Sequence, residues 1–306
     1  MLSWLFIIIL SYLFFSFSFF GDKLILSAKS ASAALNPKFY TFWIGVMNIL
    51  VIFLLPFTTL SLPSVMTMVW IIATSLVSTL GLWAMFCALQ KFEVSRVMPT
   101  IGALQPIFVL LLSCLVWGGQ VISGRILLAF TLLLFGSIII SIEKTSKITG
   151  EFLVLNITAS FLFSLGYLFS KFVFLHQTFL QGLFWIGLST FLFSLIFLTD
   201  TALRSQVFSK KATVNKKTAI LFIFTQTAGG IANILQSLAI YLVPISYLAI
   251  ANSLRGIQYI FLFVITIFFT LFSPSILKEE ISKKVIIQKT CSVLAIILGL
   301  AILVIK

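Results

Sequence analysis

Long runs of apolar residues recur along the chain, and most charged residues lie between them. A bilayer core about 30 Å thick needs about 20 apolar residues per helix, and helices keep their backbone polar groups paired in lipid. The pattern therefore predicts an all-α polytopic membrane protein with ten transmembrane segments. Numbered 1 to 10 in chain order, they are residues 2–20, 41–60, 66–90, 94–116, 123–141, 152–171, 182–199, 218–241, 245–271 and 286–305.

Composition supports the same class. The chain is 61% hydrophobic and 9% charged, whereas soluble domains are about 45–50% apolar and about 25% charged, so a soluble core is excluded. The net charge of +13 comes from basic residues placed between apolar runs, which is typical of charge at a membrane surface and not of a nucleic-acid patch.

The basic residues also predict the orientation. Only Arg125, Lys171 and Lys306 belong to the even-numbered loops and the termini. Under the positive-inside rule, the odd-numbered loops are cytoplasmic and both termini are not, with the plasma (inner) membrane as the expected location. The sixteen basic residues of the odd loops are Lys23, Lys29, Lys38, Lys91, Arg96, Lys144, Lys147, Arg204, Lys210, Lys211, Lys216, Lys217, Lys278, Lys283, Lys284 and Lys289.

Catalytic and metal chemistry are not expected. His176 is the only histidine, and the three cysteines have no metal-site spacing. The seven acidic residues all fall in loops or at segment ends, and no phosphate-binding GxxxxGK[ST] signature is present. We therefore expect no enzyme activity, no catalytic residue, no metal and no cofactor.

Similar sequences recur in the two halves of the chain. Residues 42–45 and 184–187 both read Phe-Trp-Ile-Gly, at the start of segments 2 and 7. Residues 103–108 of segment 4 resemble residues 256–261 of segment 9, and Ser16 and Lys23 match Ser164 and Lys171 at one offset. The halves are residues 1–145 and 150–306. Because five is odd, two five-helix repeats would enter the membrane from opposite sides, as in many transporters.

The whole chain resembles the EamA-like family of the drug/metabolite transporter superfamily. The best stretches are residues 88–108, with Ser95-Arg96-Val97-Met98-Pro99 and Gln105-Pro106, and residues 239–261. The resemblance implies two inverted five-helix repeats, transport of metabolites, amino acids or drugs, and a central cavity built by segments 3, 4, 8 and 9. The chain departs from the family at Gly118-Gly119-Gln120, where an acidic residue is common. It also lacks the embedded Glu that small multidrug relatives carry in their first helix.

Arg255 is the sharpest candidate for function. It lies about ten residues into segment 9, and a charge at a helix centre costs about 2.5–3.5 kcal/mol on insertion scales. Facing a cavity, its guanidinium would attract a carboxylate or phosphate. The alternatives are snorkelling to the outer headgroups or packing against backbone carbonyls.

Other polar residues recur at helical spacing on the segments that the resemblance places at the cavity. We expect them to bind substrate, while interhelical hydrogen bonding is the alternative. Pro99 and Pro106 are candidate hinge or gating residues of segment 4, or else they produce a fixed kink. The candidate substrate-binding residues besides Arg255 are Asn252, Gln258, Tyr259, Gln226, Asn233, Gln105, Ser78 and Trp83.

The expected function is secondary transport or export of a small polar metabolite, amino-acid-like or an organic anion, by alternating access. The alternative is a membrane scaffold or a lipid-handling, flippase-like subunit with the same fold. The expected partners are the lipid bilayer and a small-molecule substrate, with no nucleic acid. A homodimer is left open.

Overall fold

The computed structural model describes residues 3–27, 37–92, 94–118, 124–141, 149–208, 216–272 and 283–304. Within these ranges the chain is all-helical, as predicted, and each of the ten apolar segments forms helix. The α-helices are α1 (Ser3–Ser27), α2 (Pro37–Met47), α3 (Val65–Lys91), α4 (Val94–Trp117), α5 (Gly124–Ser141), α6 (Gly150–His176), α7 (Phe179–Leu195), α8 (Thr201–Phe208), α9 (Lys216–Leu242), α10 (Leu248–Ser253), α11 (Gly256–Phe272) and α12 (Lys283–Val304).

Six of the described helical stretches are long and apolar enough to cross a membrane: Ser3–Gly21, Pro37–Phe57, Val65–Lys91, Thr100–Trp117, Gly150–His176 and Phe179–Thr199. Shorter apolar stretches lie at Gly124–Gly136 and Thr290–Ile302. Several membrane-length apolar helices in one chain are the signature of a multi-pass membrane protein.

Three local features of the helices were not predicted from the hydrophobic pattern. Segment 2 begins as α2 and continues as a 3₁₀-helix over Asn48–Phe57 that includes Pro56, a residue that cannot donate to an α-helical ladder. The loop after segment 7 contains the short helix α8, which the hydrophobic pattern missed because this helix is far less apolar than the membrane segments. Segment 9 is interrupted at Leu254 and Arg255, between α10 and α11.

The helices pack as two compact units. Unit 1 comprises residues 1–28, 94–147 and 216–306, and unit 2 comprises residues 29–93 and 148–215. Each unit combines helices from both halves of the chain, so the division into units does not coincide with the predicted boundary between the two repeats. Residues 142–148, at that boundary, lie outside the described residues. The two repeats are a relation between sequences and remain a prediction.

Within unit 1, two glycines bring α5 and α12 together. A Cβ at Gly136 would lie 2.9 Å from the carbonyl oxygen of Ser292, and one at Gly299 would lie 3.1 Å from that of Ala129. The same Cβ atoms would also lie 2.7 Å from the Ile296 side chain and 2.8 Å from the Leu133 side chain. The two contacts are equivalent, because one numbering offset relates Gly136 to Gly299, Ala129 to Ser292 and Leu133 to Ile296.

A second pair of equivalent contacts occurs once in each unit. In unit 1, the Ser18 hydroxyl of α1 lies 2.9 Å from where a Cβ of Gly229 in α9 would be. In unit 2, the Ser78 hydroxyl of α3 lies 2.7 Å from where a Cβ of Gly166 in α6 would be. Small residues at such crossings let two backbones approach closely, as is common between membrane helices.

Polar contacts join the ends of helices within each unit. In unit 2, Lys38 pairs with Asp200 at 2.5 Å, Lys91 pairs with Glu151, and the Gln181 amide donates to the Thr59 carbonyl at 2.7 Å. In unit 1, the Arg125 guanidinium donates to the Ile302 carbonyl at 2.7 and 2.9 Å. In each contact, the two residues lie in loops or at segment ends that the predicted topology places on the same side of the membrane.

Candidate functional site

The interruption of segment 9 changes its hydrogen bonding around Arg255. The Arg255 amide donates to the Asn252 carbonyl at 3.1 Å, and the Ile257 and Gln258 amides also bond three residues back, at 2.9 and 3.0 Å. Such 3₁₀-type bonds tighten the chain and replace the four-residue bonds of an α-helix. The expectation that Arg255 lies inside a continuous helix is therefore wrong, because it lies in the turn between two half-helices.

Side chains from α1 bond the carbonyls around this turn. The Tyr12 hydroxyl donates to the Ala251 carbonyl at 3.0 Å and lies 3.4 Å from the Asn252 carbonyl. One turn further along α1, the Ser16 hydroxyl lies 2.9 Å from the Gln258 carbonyl. Tyr12 and Ser16 are fully buried. Neighbouring helices commonly satisfy broken backbone bonds in membrane proteins in this way.

Arg255 reaches the middle of α4. Its Nη1 donates to the side-chain oxygen of Gln105, and Gln105 lies at the centre of α4 (Val94–Trp117) and is only 3% exposed. Tyr12, next to the same turn, is the middle residue of the membrane-length stretch Ser3–Gly21. The contact with Gln105 directs the guanidinium into unit 1, which argues against snorkelling to the headgroups.

Tyr259 of α11 makes a second contact between segment 9 and α4. Its hydroxyl donates to the Met98 carbonyl at 2.8 Å, and a Cβ at Gly102 would collide with that hydroxyl. Pro106, which is buried, has no N–H, so the Gly102 carbonyl lacks its helical donor. A glycine at position 102 is thus required for the Tyr259 contact.

Several buried amide groups of this cluster have no hydrogen-bond partner among the described residues. Asn252 is 0% exposed and Gln258 is 1% exposed, and both side-chain polar atoms of each are unpaired. The Nε of Arg255 and the amide nitrogen of Gln236 are also buried atoms without a hydrogen-bond partner among the described residues. An unpaired buried polar group costs about 1–3 kcal/mol, so the cluster favours a polar ligand that satisfies it.

The structure brings together five of the predicted residues and leaves four outside. Arg255, Asn252, Gln258, Tyr259 and Gln105 gather around the turn in unit 1. On α9, Gln226 is half-buried and Asn233 is exposed, and neither shows a hydrogen bond to the cluster in the described part of the chain. Ser78 and Trp83 belong to unit 2, where Ser78 lies against Gly166 and Trp83 contacts Phe197 edge-on at 6.1 Å.

Both prolines of segment 4 lie within a single α-helix. α4 runs through both prolines without a break from Val94 to Trp117. Pro106 is buried beside Gln105, whereas the side chain of Pro99 lies outside the described residues. The hinge or gating role of both prolines stays a prediction.

Sequence reasoning missed Tyr12 and Ser16 as members of the cluster, and Gln236 was not among the candidate substrate-binding residues of segment 8. Gln236 and Arg255 lie close to the Tyr12 hydroxyl, and Arg255 also acts electrostatically on Tyr259. Tyr12 is the only tyrosine in the first apolar run, and that polar hydroxyl at the centre of a membrane segment was the available signal.

The cluster contains hydrogen-bond donors of a kind that suits an anion. It offers a guanidinium and amide N–H groups, while the two phenol hydroxyls already donate to backbone carbonyls. The ten predicted segments contain no Asp or Glu to neutralise Arg255. In the described part of the chain, no three metal-ligating side chains come together. Arginine is suited to planar carboxylate or phosphate groups through paired donors.

Comparison with known proteins defines the fold alone. No family model matches the sequence, and no curated protein matches it either. A solved structure described simply as "Crystal structure of protein" superposes with a TM-score of 0.66 at 14% identity. The match covers 99% of this chain and 96% of the other, so the chain is similar in fold to a known helical structure over almost its whole length.

Proposed function

We propose that this protein is an EamA-like secondary transporter that moves a small polar metabolite across the membrane by alternating access. The observation that carries the proposal is the Arg255 cluster at the interrupted segment 9. Transporters bind substrate near the midplane at broken helices, where half-helix ends and freed backbone groups meet the ligand. A charge within the membrane that faces a protein interior is, by default, a functional-site hypothesis.

Ten transmembrane helices are part of the proposal, and the contacts at helix ends support them. Lys38 and Asp200 belong to loops 1 and 7, and Lys91 and Glu151 to loops 3 and 5. If every segment crosses the membrane, these loops share one side, as their pairing requires. The contacts of Gln181 with Thr59, and of Arg125 with Ile302, likewise join segment ends that this topology places on the opposite, even-loop side.

Inverted five-helix repeats are the second part, and the equivalent contacts support them. Gly136 and Gly299 pack against matching positions of each other's helix, as a two-fold relation between α5 and α12 requires. The Ser18–Gly229 contact of segments 1 and 8 corresponds to the Gly166–Ser78 contact of segments 6 and 3. Segments 1 and 6, and segments 3 and 8, are the pairs that a five-helix repeat relates.

The alternative is a membrane scaffold or lipid-handling subunit, and water accessibility separates the two. In a variant whose native cysteines Cys87, Cys114 and Cys291 are replaced by serine, single cysteines at Gln105, Gln226 and Asn252 would be treated with a water-soluble maleimide. A transporter exposes Asn252→Cys or Gln105→Cys to water in at least one state. If none of the three positions reacts under any condition, transport through this cluster is excluded and the scaffold alternative gains support.

A further inference from the structure

The inference of a substrate class rests on the proposed function. It depends on which polar groups of the cluster already have hydrogen-bond partners and which do not. The carbonyls nearest the turn are used by the protein. Tyr12 bonds the Ala251 carbonyl, Ser16 lies against the Gln258 carbonyl, and Tyr259 bonds the Met98 carbonyl. Backbone acceptors that would otherwise receive a substrate ammonium therefore already have hydroxyl donors.

The unpaired groups are mainly donors. Among the described residues, the Arg255 Nε and the amide nitrogens of Asn252, Gln258 and Gln236 have no partner. A carboxylate accepts up to four hydrogen bonds and its charge complements the guanidinium. The unpaired acceptors are the side-chain oxygens of Asn252 and Gln258, and these suit a neutral donor such as a hydroxyl.

An ammonium group would have no anionic partner at this depth. The apolar segments contain no Asp or Glu, and the two acidic side chains whose ion pairs are described, Glu151 and Asp200, belong to unit 2 and pair with Lys91 and Lys38. The cluster already contains one half-buried cation, Arg255. A second cation nearby would be repelled, and repulsion is strong where water is excluded.

We infer that the Arg255 cluster selects an organic-acid anion that carries hydroxyl groups, and discriminates against the corresponding amino acid. The carboxylate binds Arg255 and the amide nitrogens of Asn252 and Gln258. The hydroxyl donates to an amide oxygen of the same two residues. Replacing that hydroxyl by an ammonium introduces a charge that the site does not pair.

Matched ligands test this selection on the purified full-length protein. Thermal stability would be measured against three-carbon to six-carbon and aromatic 2-hydroxy acids, the 2-amino acids of the same skeletons, and the neutral amides of the hydroxy acids. At least one 2-hydroxy acid should raise the melting temperature saturably. Its amino acid and its amide should bind about tenfold more weakly or worse, since a site with unmatched polar groups discriminates strongly.

The stabilising effect should vanish in Arg255→Gln and weaken in Gln258→Leu, while Arg125→Gln retains it. An amino acid or a neutral amide that binds as well as its hydroxy acid would overturn the inference, as would a panel with no stabilising hydroxy acid. The failure of this inference can be told apart from the failure of the transporter proposal. If Asn252→Cys is accessible to water but amino acids bind best, the transporter proposal stands and the inferred selection of hydroxy acids is wrong. If the cluster is never accessible to water, both the transporter proposal and the inferred selection are wrong.

Discussion

The Arg255 guanidinium donates a hydrogen bond to the side-chain oxygen of Gln105 at the centre of α4. In the alignment of the two halves, Gln105 corresponds to Gln258 and Arg255 takes the place of Gly102. The two central segments thus differ where a small residue in one half is replaced by a cation in the other. In the proposed repeat, this asymmetry gives only one of the two matched positions a charged side chain.

Removing the guanidinium should abolish substrate recognition while the fold survives. In Arg255→Gln, uptake of the preferred solute into proteoliposomes should fall by about tenfold to a hundredfold, because charge-assisted hydrogen bonds contribute about 1.5–3 kcal/mol. Arg125→Gln is the matched control, since Arg125 is exposed and, among the described residues, bonds the Ile302 carbonyl at a helix end. Equal loss in both variants would show that general destabilisation, and not recognition, is responsible.

Gly102→Ala should destabilise unit 1 by about 1–3 kcal/mol, the usual cost of overpacking. The added methyl group collides with the Tyr259 hydroxyl and displaces it from the Met98 carbonyl. Gly230→Ala is the control, because a Cβ at Gly230 meets nothing within 4 Å. Thermal unfolding in detergent measures both variants, and an undiminished melting temperature for Gly102→Ala would contradict this packing.

The α5–α12 contact predicts matched effects at two distant positions. Gly136→Ala and Gly299→Ala should each lower stability by about 1–3 kcal/mol, since each methyl group meets a backbone carbonyl and a branched side chain. Gly124→Ala, at a position with open space, should have little effect. If one of the pair tolerates alanine while the other does not, the two-fold relation between these helices fails.

Acid should weaken the helix-end contact between Lys38 and Asp200. The Lys38 ammonium, with the amides of Leu203 and Ala202, holds the pKa of Asp200 below its ordinary value of 3.8. A lowered folded-state pKa gives stability that is present above about pH 4 and lost as pH falls through the folded pKa. Thermal unfolding between pH 3 and pH 6 should show this loss in the native protein and not in Asp200→Asn. Identical pH profiles would exclude the contribution.

Much of the fold was predictable because membrane helices are specified by apolar length. Each of the ten segments is helical, with ends such as Val94 and Leu242 within a few residues of the predicted ones. The break at Arg255 was not predicted, because the apolar run continues through it to residue 271, although Gly256 directly follows. The Tyr12 hydroxyl of α1 donates to the Ala251 carbonyl beside the turn, and a tertiary contact of this kind cannot be read from local sequence.

The candidate site was predicted in part for the same reason. Helical spacing grouped Asn252, Arg255 and Tyr259, and the structure places all three around the turn at Arg255. The resemblance between segments 4 and 9 led to Gln105, which bonds Arg255. Spacing on α9 did not distinguish Asn233, which is exposed, from Gln236, whose amide nitrogen is buried. Which face of a polar helix meets a given neighbour depends on packing that a single sequence does not encode locally.

The most direct test of the central claim is to measure from which side of the membrane a maleimide reagent reaches position 252. Asn252→Cys, in the variant lacking the three native cysteines, would be reconstituted with known orientation and treated with a membrane-impermeant maleimide from either side, with and without the stabilising 2-hydroxy acid; Gln105→Cys provides a second position. The account predicts labelling from both sides, reduced by the ligand. Labelling from one side only under every condition, or no labelling at either position, would contradict alternating access at the Arg255 cluster.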